Sequence, residues 1–358
     1  MIKKVDLNHQ FFSMFDTKTG FYMRSGVFEN GKDTGVDPFM SSFPELIDIG
    51  IMGSCLHGQT GLCVAAGVQC YQNGLETHEP NMTLDNYKKI IDECQGKVFQ
   101  VALGGRGDVD QHEHFEEILK YTREKNIVPN FTTSGLGMTP EIAAICKKHC
   151  GAVAVSWYRN DYTLNALNML LDAEVTTNIH YVLGKNSIDE AIERLENKDF
   201  PMVNAIIFLL HKPVGLGDEE NVLTLDDPRV ERFFQLIDEG TFPWKIGFDS
   251  CTVPGLLNFT NNINPISMDT CEAARWSMYI SADMKAMPCS FDNQDLRWGY
   301  DISEDTIKNA WDSEQFEEFR SHFRNSCSSC NIRLSCLGGC PIVNEIVLCN
   351  REEREVFA

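Results

Sequence analysis

The stretch IDIGIMGSCLHGQTGLCVAAGVQCYQNG, residues 47–74, decides how the rest of the chain is read. Ile47, Ile49 and Ile51 recur at a period of two with Met52 after them, which predicts a short strand from Ile47 to Met52. That strand empties into a loop carrying Cys55, Cys63 and Cys70, so three thiols sit at the end of one strand. Gly53, Gly58, Gly61, Gly67 and Gly74 let the loop fold back on itself. Three sulfurs can then converge on one object although seven and six residues separate them. An iron-sulfur cluster suits such a trio; buried, inert thiols are the alternative that the loop alone leaves open.

Working outward, strand and helix alternate six times. The predicted strands are Ile47 to Met52, Val98 to Leu103, Val128 to Thr133, Ala152 to Trp157, Asn178 to Leu183 and Ala205 to Leu210. The helices that follow them are Leu84 to Cys94, His112 to Lys125, Pro140 to His149, Leu164 to Ala173, Ile188 to Asn197 and Pro228 to Asp238, with Thr139 as N-cap before Pro140 in the third. Repeated βα units mean a parallel sheet with right-handed crossovers. Such a sheet either opens or curls, and six units are two short of a full barrel. In both cases function gathers at the carboxyl ends of the strands. There the second strand leads into Gly104-Gly105-Arg106-Gly107-Asp108, the third into Ser134-Gly135, and the fourth reaches Ser156-Trp157-Tyr158. Upstream, QFFSMFDTKTGFYMRSG places apolar residues around the turn-like Asp16 to Gly20 and predicts a hairpin. The hairpin either covers one end of the sheet or serves as a lid or docking edge for an extended peptide.

The chain has 358 residues, 43% of them hydrophobic and 23% charged, the balance of an ordinary globular protein. No apolar run approaches the roughly 20 residues that span a bilayer, and MIKKVDLNHQFF lacks the apolar core of a signal peptide, so a cytoplasmic protein off the membrane is expected. A net charge of −21 argues against nucleic acid as a partner, because phosphate binding needs an excess of Lys and Arg. Fourteen cysteines in a reducing compartment point to metal or redox chemistry rather than disulfides.

Eight of those cysteines crowd the C-terminal third: Cys251, Cys271, Cys289, Cys327, Cys330, Cys336, Cys340 and Cys349. The block CSSCNIRLSCLGGC reads C-x2-C-x5-C-x3-C, and Cys349 follows after eight intervening residues. Thiols at these spacings ligate one metal centre, and leftover members can cross to a second.

Read with Cys271 and Cys289, this block closely resembles the SPASM extension of radical S-adenosylmethionine (SAM) enzymes, whose pattern is two upstream cysteines, the block and a final cysteine. The N-terminal two-thirds resembles a radical SAM domain, an α/β partial (β/α)6 TIM-like barrel whose first loop holds a [4Fe-4S] cluster on three cysteines. The last of these is followed by an aromatic residue, as in Cys70-Tyr71. Two departures stand out: the family's first-loop cysteines usually lie closer together, and Met284 stands where relatives have glycine.

With the hairpin read as an N-terminal extension at 1–42, the resemblance implies a radical SAM partial barrel at 43–245 and a SPASM auxiliary-cluster domain at 246–358. It implies SAM on an open iron of the cluster held by Cys55, Cys63 and Cys70, and two auxiliary [4Fe-4S] clusters. By analogy, one auxiliary cluster takes Cys271, Cys289 and Cys340 with Cys251 as fourth ligand, and the other takes Cys327, Cys330, Cys336 and Cys349. Cys94, Cys146 and Cys150 remain, on predicted helices, as core thiols. Gly104 and Gly105 match the glycine pair that contacts the SAM amino group. The next residue, usually Glu, is Arg106, which makes Asp108 a candidate carboxylate. Ser134 and Ser156 match polar contacts to ribose or carboxylate, and Leu183 with Val182 matches apolar contacts to adenine. Asp249, Asp283 and Asp292 are candidates for an acid that serves as base near an auxiliary cluster.

The implied activity is reductive cleavage of SAM and hydrogen abstraction from a peptide or protein substrate, with flavodoxin or ferredoxin as electron donor. The same chemistry on a small molecule is an alternative. A non-catalytic scaffold that binds zinc through its tail cysteines is another.

Overall fold

The computed structural model describes residues 1–264, 267–293, 295–325, 327, 329–330 and 332–349. At the N-terminus β1 (Ile2–Asp6), β2 (Phe11–Phe15) and β3 (Tyr22–Arg24) form an antiparallel sheet, followed by the short ribbon of β4 (Phe28–Glu29) and β5 (Lys32–Asp33). The predicted hairpin is β2–β3. It packs Phe15 on Phe99 at 5.5 Å, beside Val128, and Tyr22 Oη donates to Glu45 Oε2 at 2.6 Å. Phe99 precedes β7 (Gln100–Gly105) and Val128 begins β8 (Val128–Thr133), so the hairpin covers the amino ends of the parallel strands and leaves the carboxyl-end loops uncovered. Of the two hairpin readings, the covering one holds.

The main sheet begins with β6 (Leu46–Met52) and continues through β7, β8, β9 (Val153–Ser156), β10 (Thr177–Leu183), β11 (Ala205–Leu210) and β12 (Lys245–Phe248), each strand parallel to its predecessor. On the other side of β6 lies β13 (Ser277–Ile280), also parallel, followed by antiparallel β14 (Lys285–Met287) and β15 (Tyr300–Asp301). All six predicted strands are present, β7 two residues later than predicted. β12 is a seventh that sequence pattern missed, because four residues are too few to show a period. The boundary expected at 245/246 falls at its first residue.

The crossover helices are α3 (Leu84–Cys94), α4 (Phe115–Glu124), α5 (Pro140–His149), α6 (Asp161–Asp172), α7 (Ile188–Asn197) and α8 (Pro228–Glu239), after the two short helices α1 (Leu56–Thr60) and α2 (Leu62–Ala65) of the first loop. α4 starts three residues later than predicted. The His112 ring is buried there, with Nε2 3.1 Å from Met82 O and Nδ1 accepting the His114 N–H at 3.0 Å, and this holds the chain in a turn. α6 starts three residues earlier because Asn160 Oδ1 caps the Thr163 N–H at 3.0 Å. The tail adds α9 (Val253–Phe259), α10 (Ile307–Trp311), α11 (Glu314–Asn325) and α12 (Arg333–Cys336).

Alternation along the strands separates core from interior. Ile47, Ile49 and Ile51 are fully buried against the helices, as are Ile179, Tyr181 and Leu183 of β10. Each such side chain contributes about 1.5–3 kcal/mol of burial. The alternate residues face the other way, and Thr132 Oγ1 meets His180 Nδ1 at 3.3 Å across β9. Asp48, Ala102, Ser156 and His180 thus line a small, polar interior. The sheet is a partial barrel, as expected from the resemblance.

Candidate active site and cysteine centres

The first loop reaches its shape through backbone packing. Cys55 caps α1, its Sγ accepting the Gly58 N–H at 3.4 Å, and Cys63 lies on α2. A Cβ at Gly58 would sit 2.1 Å from Gly74 O, so the start and end of the loop touch backbone to backbone. A Cβ at Gly74 would lie 3.7 Å from Cys55 Sγ and 3.8 Å from Cys70 Sγ. The long spacing therefore still brings those two sulfurs to one place. Burial pushes the Cys63 thiol up, and the thiol of Cys70 adds to it.

Neighbouring loops hold this one in position. Leu216 N–H donates to Cys70 O at 2.9 Å, and Asn221 Nδ2 donates to Gln69 Oε1 at 3.2 Å. Arg106 pairs with Glu79 at 3.1 Å, donates through Nε to Gln72 O at 3.2 Å and through its N–H to Met52 O at 2.8 Å. This residue, where the family has Glu, braces the loop. His57 is buried; its Nε2 lies against Ser134 Oγ and 3.4 Å from Asp108 Oδ2, and its ring packs on Tyr158 and Tyr162 at 6.0 and 5.5 Å. Sequence reading missed it, although a histidine two residues after a candidate ligand cysteine was a visible signal.

The predicted SAM contacts fall into two groups. Gly104 ends β7 with nothing within 4 Å of a Cβ placed there, so its backbone borders open space. Ser156 ends β9 partly exposed, and Tyr71 packs on Phe291 at 4.7 Å. The others are otherwise engaged. Gly105, at φ +112°, is pressed against Met52 O, 2.5 Å from where its Cβ would be. Asp108 accepts the Ser134 N–H at 2.7 Å and the Ser134 hydroxyl, and Ser134 is 3% exposed. The placement of Leu183 at an adenine site needs correction: it lies in the core at 1% exposure, and Val182, on the opposite face of β10, is 50% exposed. A single step along a strand reverses the face.

The tail cysteines gather into two groups. Cys251 follows β12, Cys271 precedes β13, Cys289 follows β14, and Cys340 lies beyond α12. The Cys251 thiol hydrogen-bonds with Cys340 and is pushed well up, first by that contact and then by burial. Burial raises Cys271, and the thiols of Cys251 and Cys289 add to it; Cys289 is pushed up to about 12, chiefly by burial. This quartet joins segments beside β12 and β13, the two ends of the parallel run. A second cavity is lined by Cys327, Cys330, Cys336 and Cys349. There the Cys336 thiol is pushed up to about 11 by burial, with Cys349, Cys327 and Cys330 adding to it. Among the described residues no thiol is in a disulfide.

A cation among thiols favours their thiolate form. The trio and both quartets are thus donor sets whose chemistry fits iron-sulfur clusters.

The three candidate bases differ in place. Asp249 accepts from Lys212 Nζ at 2.5 Å, Leu210 N–H at 3.2 Å and Thr252 Oγ1 at 2.7 Å, next to Cys251. Asp283 lies exposed in the β13–β14 turn with Ser281 Oγ donating to it at 2.5 Å. Cys271 and Cys289 flank the other end of that hairpin, so the expected nearness to an auxiliary site is not found. Asp292, 2% exposed, accepts the N–H groups of Arg297 and Trp298 at 3.0 Å each; burial pushes its carboxyl up to about 6 against the pull of those amides. It is a loop cap. A carboxyl that sequence reading passed over is Asp48, in the barrel interior near Tyr71, Tyr279 and Cys289, pushed up to about 7 by burial. Its inward position between Ile47 and Ile49 was legible in the alternation.

Residues 271–331 match the SPASM family, described as an iron-sulfur cluster-binding domain. The mycofactocin maturase MftC of Mycolicibacterium smegmatis is 26% identical over 318 residues, 78% of this chain and 76% of its own length. Its Mycobacterium tuberculosis counterpart is 23% identical over 314 residues, with the same coverage. Streptococcus suis SuiB bound to precursor peptide SuiA has a TM-score of 0.66 at 16% identity, over 87% of this chain and 76% of that one. The anSMEcpe structure with bound AdoMet and Kp18Cys peptide gives 0.59 at 15%, over 87% and 93%. At these identities the solved structures speak for the fold. With that shared fold, the maturase relatives and the matching tail, the chain is similar to radical SAM enzymes that end in a SPASM domain.

Proposed function

We propose that this protein is a peptide or protein maturase of the radical SAM type, with three [4Fe-4S] clusters. In this reading Cys55, Cys63 and Cys70 hold the SAM-binding cluster. Cys251, Cys271, Cys289 and Cys340 hold one auxiliary cluster, and Cys327, Cys330, Cys336 and Cys349 the other. The observation that carries it is the convergence of Cys55 and Cys70 at Gly74, at the carboxyl end of the partial barrel and beside the open backbone of Gly104. When bound there and reduced, SAM supplies a 5′-deoxyadenosyl radical that takes a hydrogen atom from the substrate. The chain's own part is orientation and shielding. Gly104 and Ser156 border the SAM site, Val182 offers an apolar face for adenine, and Tyr71 with Phe291 separates the first site from the nearer quartet. Asp48 is the interior carboxyl placed to accept a proton from substrate. A flavodoxin or ferredoxin supplies the electron.

The peptide substrate class is supported by the names of the relatives: MftC is called a maturase, and SuiB was solved with its precursor peptide. The test is to incubate the reduced, anaerobic protein with SAM and with precursor peptides encoded beside its gene. The reading predicts 5′-deoxyadenosine together with a mass change in one peptide. Radical formation with oxidation of a small polyol and no change in any peptide would move the reading to the small-molecule class. Intact SAM and a zinc-loaded protein would favour the scaffold.

A further inference from the structure

Lys212 is 6% exposed, which a lysine tolerates only when its charge is met. It lies on the loop leaving β11, and its Nζ donates to Asp249 Oδ2 at 2.5 Å and to Leu210 O at 2.9 Å. The ammonium also sits 4.8 Å from the ring centre of Phe291, two residues past Cys289, and close to Cys251 and Cys340. Phe291 packs on Tyr71, the neighbour of Cys70, and Leu216 of the same loop donates its N–H to Cys70 O. One loop therefore braces the first thiol site and presents a buried cation to the nearer quartet.

We propose that Lys212 acts through the Cys251, Cys271, Cys289 and Cys340 quartet, holding up the reduction potential of the cluster bound there. This rests on the reading of those thiols as cluster ligands. A reduced cluster carries one more negative charge than an oxidised one, so a fixed cation beside it favours reduction and raises the potential. Asp249 opposes this, but its charge is spread by the Leu210 N–H and the Thr252 hydroxyl. Low dielectric around the buried pair keeps the net field strong. A lysine that served only to fill space and satisfy Asp249 would leave the potential untouched by its charge.

The test is redox titration of the full-length protein, anaerobically purified and reconstituted, followed by electron paramagnetic resonance. The relevant signal is the one lost in Cys271→Ala. Lys212→Met keeps most of the stem and drops the charge, and it lowers that midpoint. Lys212→Arg leaves it near the parent value, and Asp249→Asn raises it. Full iron content with an unchanged midpoint in both Lys212→Met and Asp249→Asn overturns the proposal. If Lys212→Met fails to retain iron, Asp249→Asn decides: a raised midpoint supports the proposal and an unchanged one overturns it. A parent protein without iron is a different failure, that of the cluster reading itself.

Discussion

The first-loop trio and the quartet around Cys251 gather sulfur in opposite ways. Cys55, Cys63 and Cys70 come from one loop and meet through glycine contacts and two short helices. The quartet draws Cys251, Cys271, Cys289 and Cys340 from four separate segments and joins the two ends of the parallel run. A site within one loop needs an anchor to the scaffold, and here His57 provides it. A site built from distant segments is itself an anchor. Fixing distant segments closes long loops, so filling the quartet stabilises the fold as a cross-link does.

The largest expected effect breaks the comparison if it fails. Cys271→Ala and Cys63→Ala should each remove about four irons, yet only Cys271→Ala should also cost about 2–5 kcal/mol, the range of a native cross-link. Iron assays with thermal melts of the anaerobic proteins check this, and equal stability losses would sink the distinction.

A smaller effect sharpens the role of the loop's anchor. His57→Ala removes a buried ring packed on Tyr158 and Tyr162 and its contact with Ser134, whose hydroxyl still donates to Asp108, a loss of about 0.5–3 kcal/mol. It should also reduce first-loop iron while both auxiliary signals survive. His57→Gln, which restores a hydrogen bond, should recover part of that iron.

Asp48 lies between the two sites, and its effect is one of pH. Its carboxyl is raised to about 7 in the fold, from about 4 unfolded. Between those values the folded chain holds a proton that the unfolded chain has released. Its contribution to stability is thus complete below about pH 4 and is lost as pH rises to about 7, with a slope of at most about 1.4 kcal/mol per pH unit. Melting of the iron-free protein across that range should show the decline, and Asp48→Asn should flatten it.

The smallest effect separates two carboxylates that sequence grouped together. Asp283→Ala should change stability by no more than about 0.5 kcal/mol and leave turnover unchanged. Asp292→Ala strands two backbone N–H groups and should cost about 1–3 kcal/mol in a denaturant titration.

These contrasts also mark what the sequence made legible. Period-two alternation at Ile47, Ile49 and Ile51 and capping at Thr139 located strands and helices, whereas the grouping of the tail thiols is implied by the resemblance and not by their spacing. Local pattern says nothing about which distant loops meet, so Lys212 against Asp249 and His57 against Ser134 stayed hidden. Leu183 ends its strand yet lies on the helix-packed face, because alternation along β10 and not strand-end position decides which side chain faces the interior. Met284 shows a conflict that spacing flagged and only packing explains. It adopts φ +64°, where glycine is easier, yet it is 3% exposed. The strain of about 1–2 kcal/mol is outweighed by the roughly 2–5 kcal/mol that removing a buried methionine costs.

Iron and acid-labile sulfide in the anaerobically purified full-length protein test the central claim most directly. The account predicts about twelve of each per chain, from three four-iron sites. Zinc in the tail with no acid-labile sulfide anywhere would contradict it.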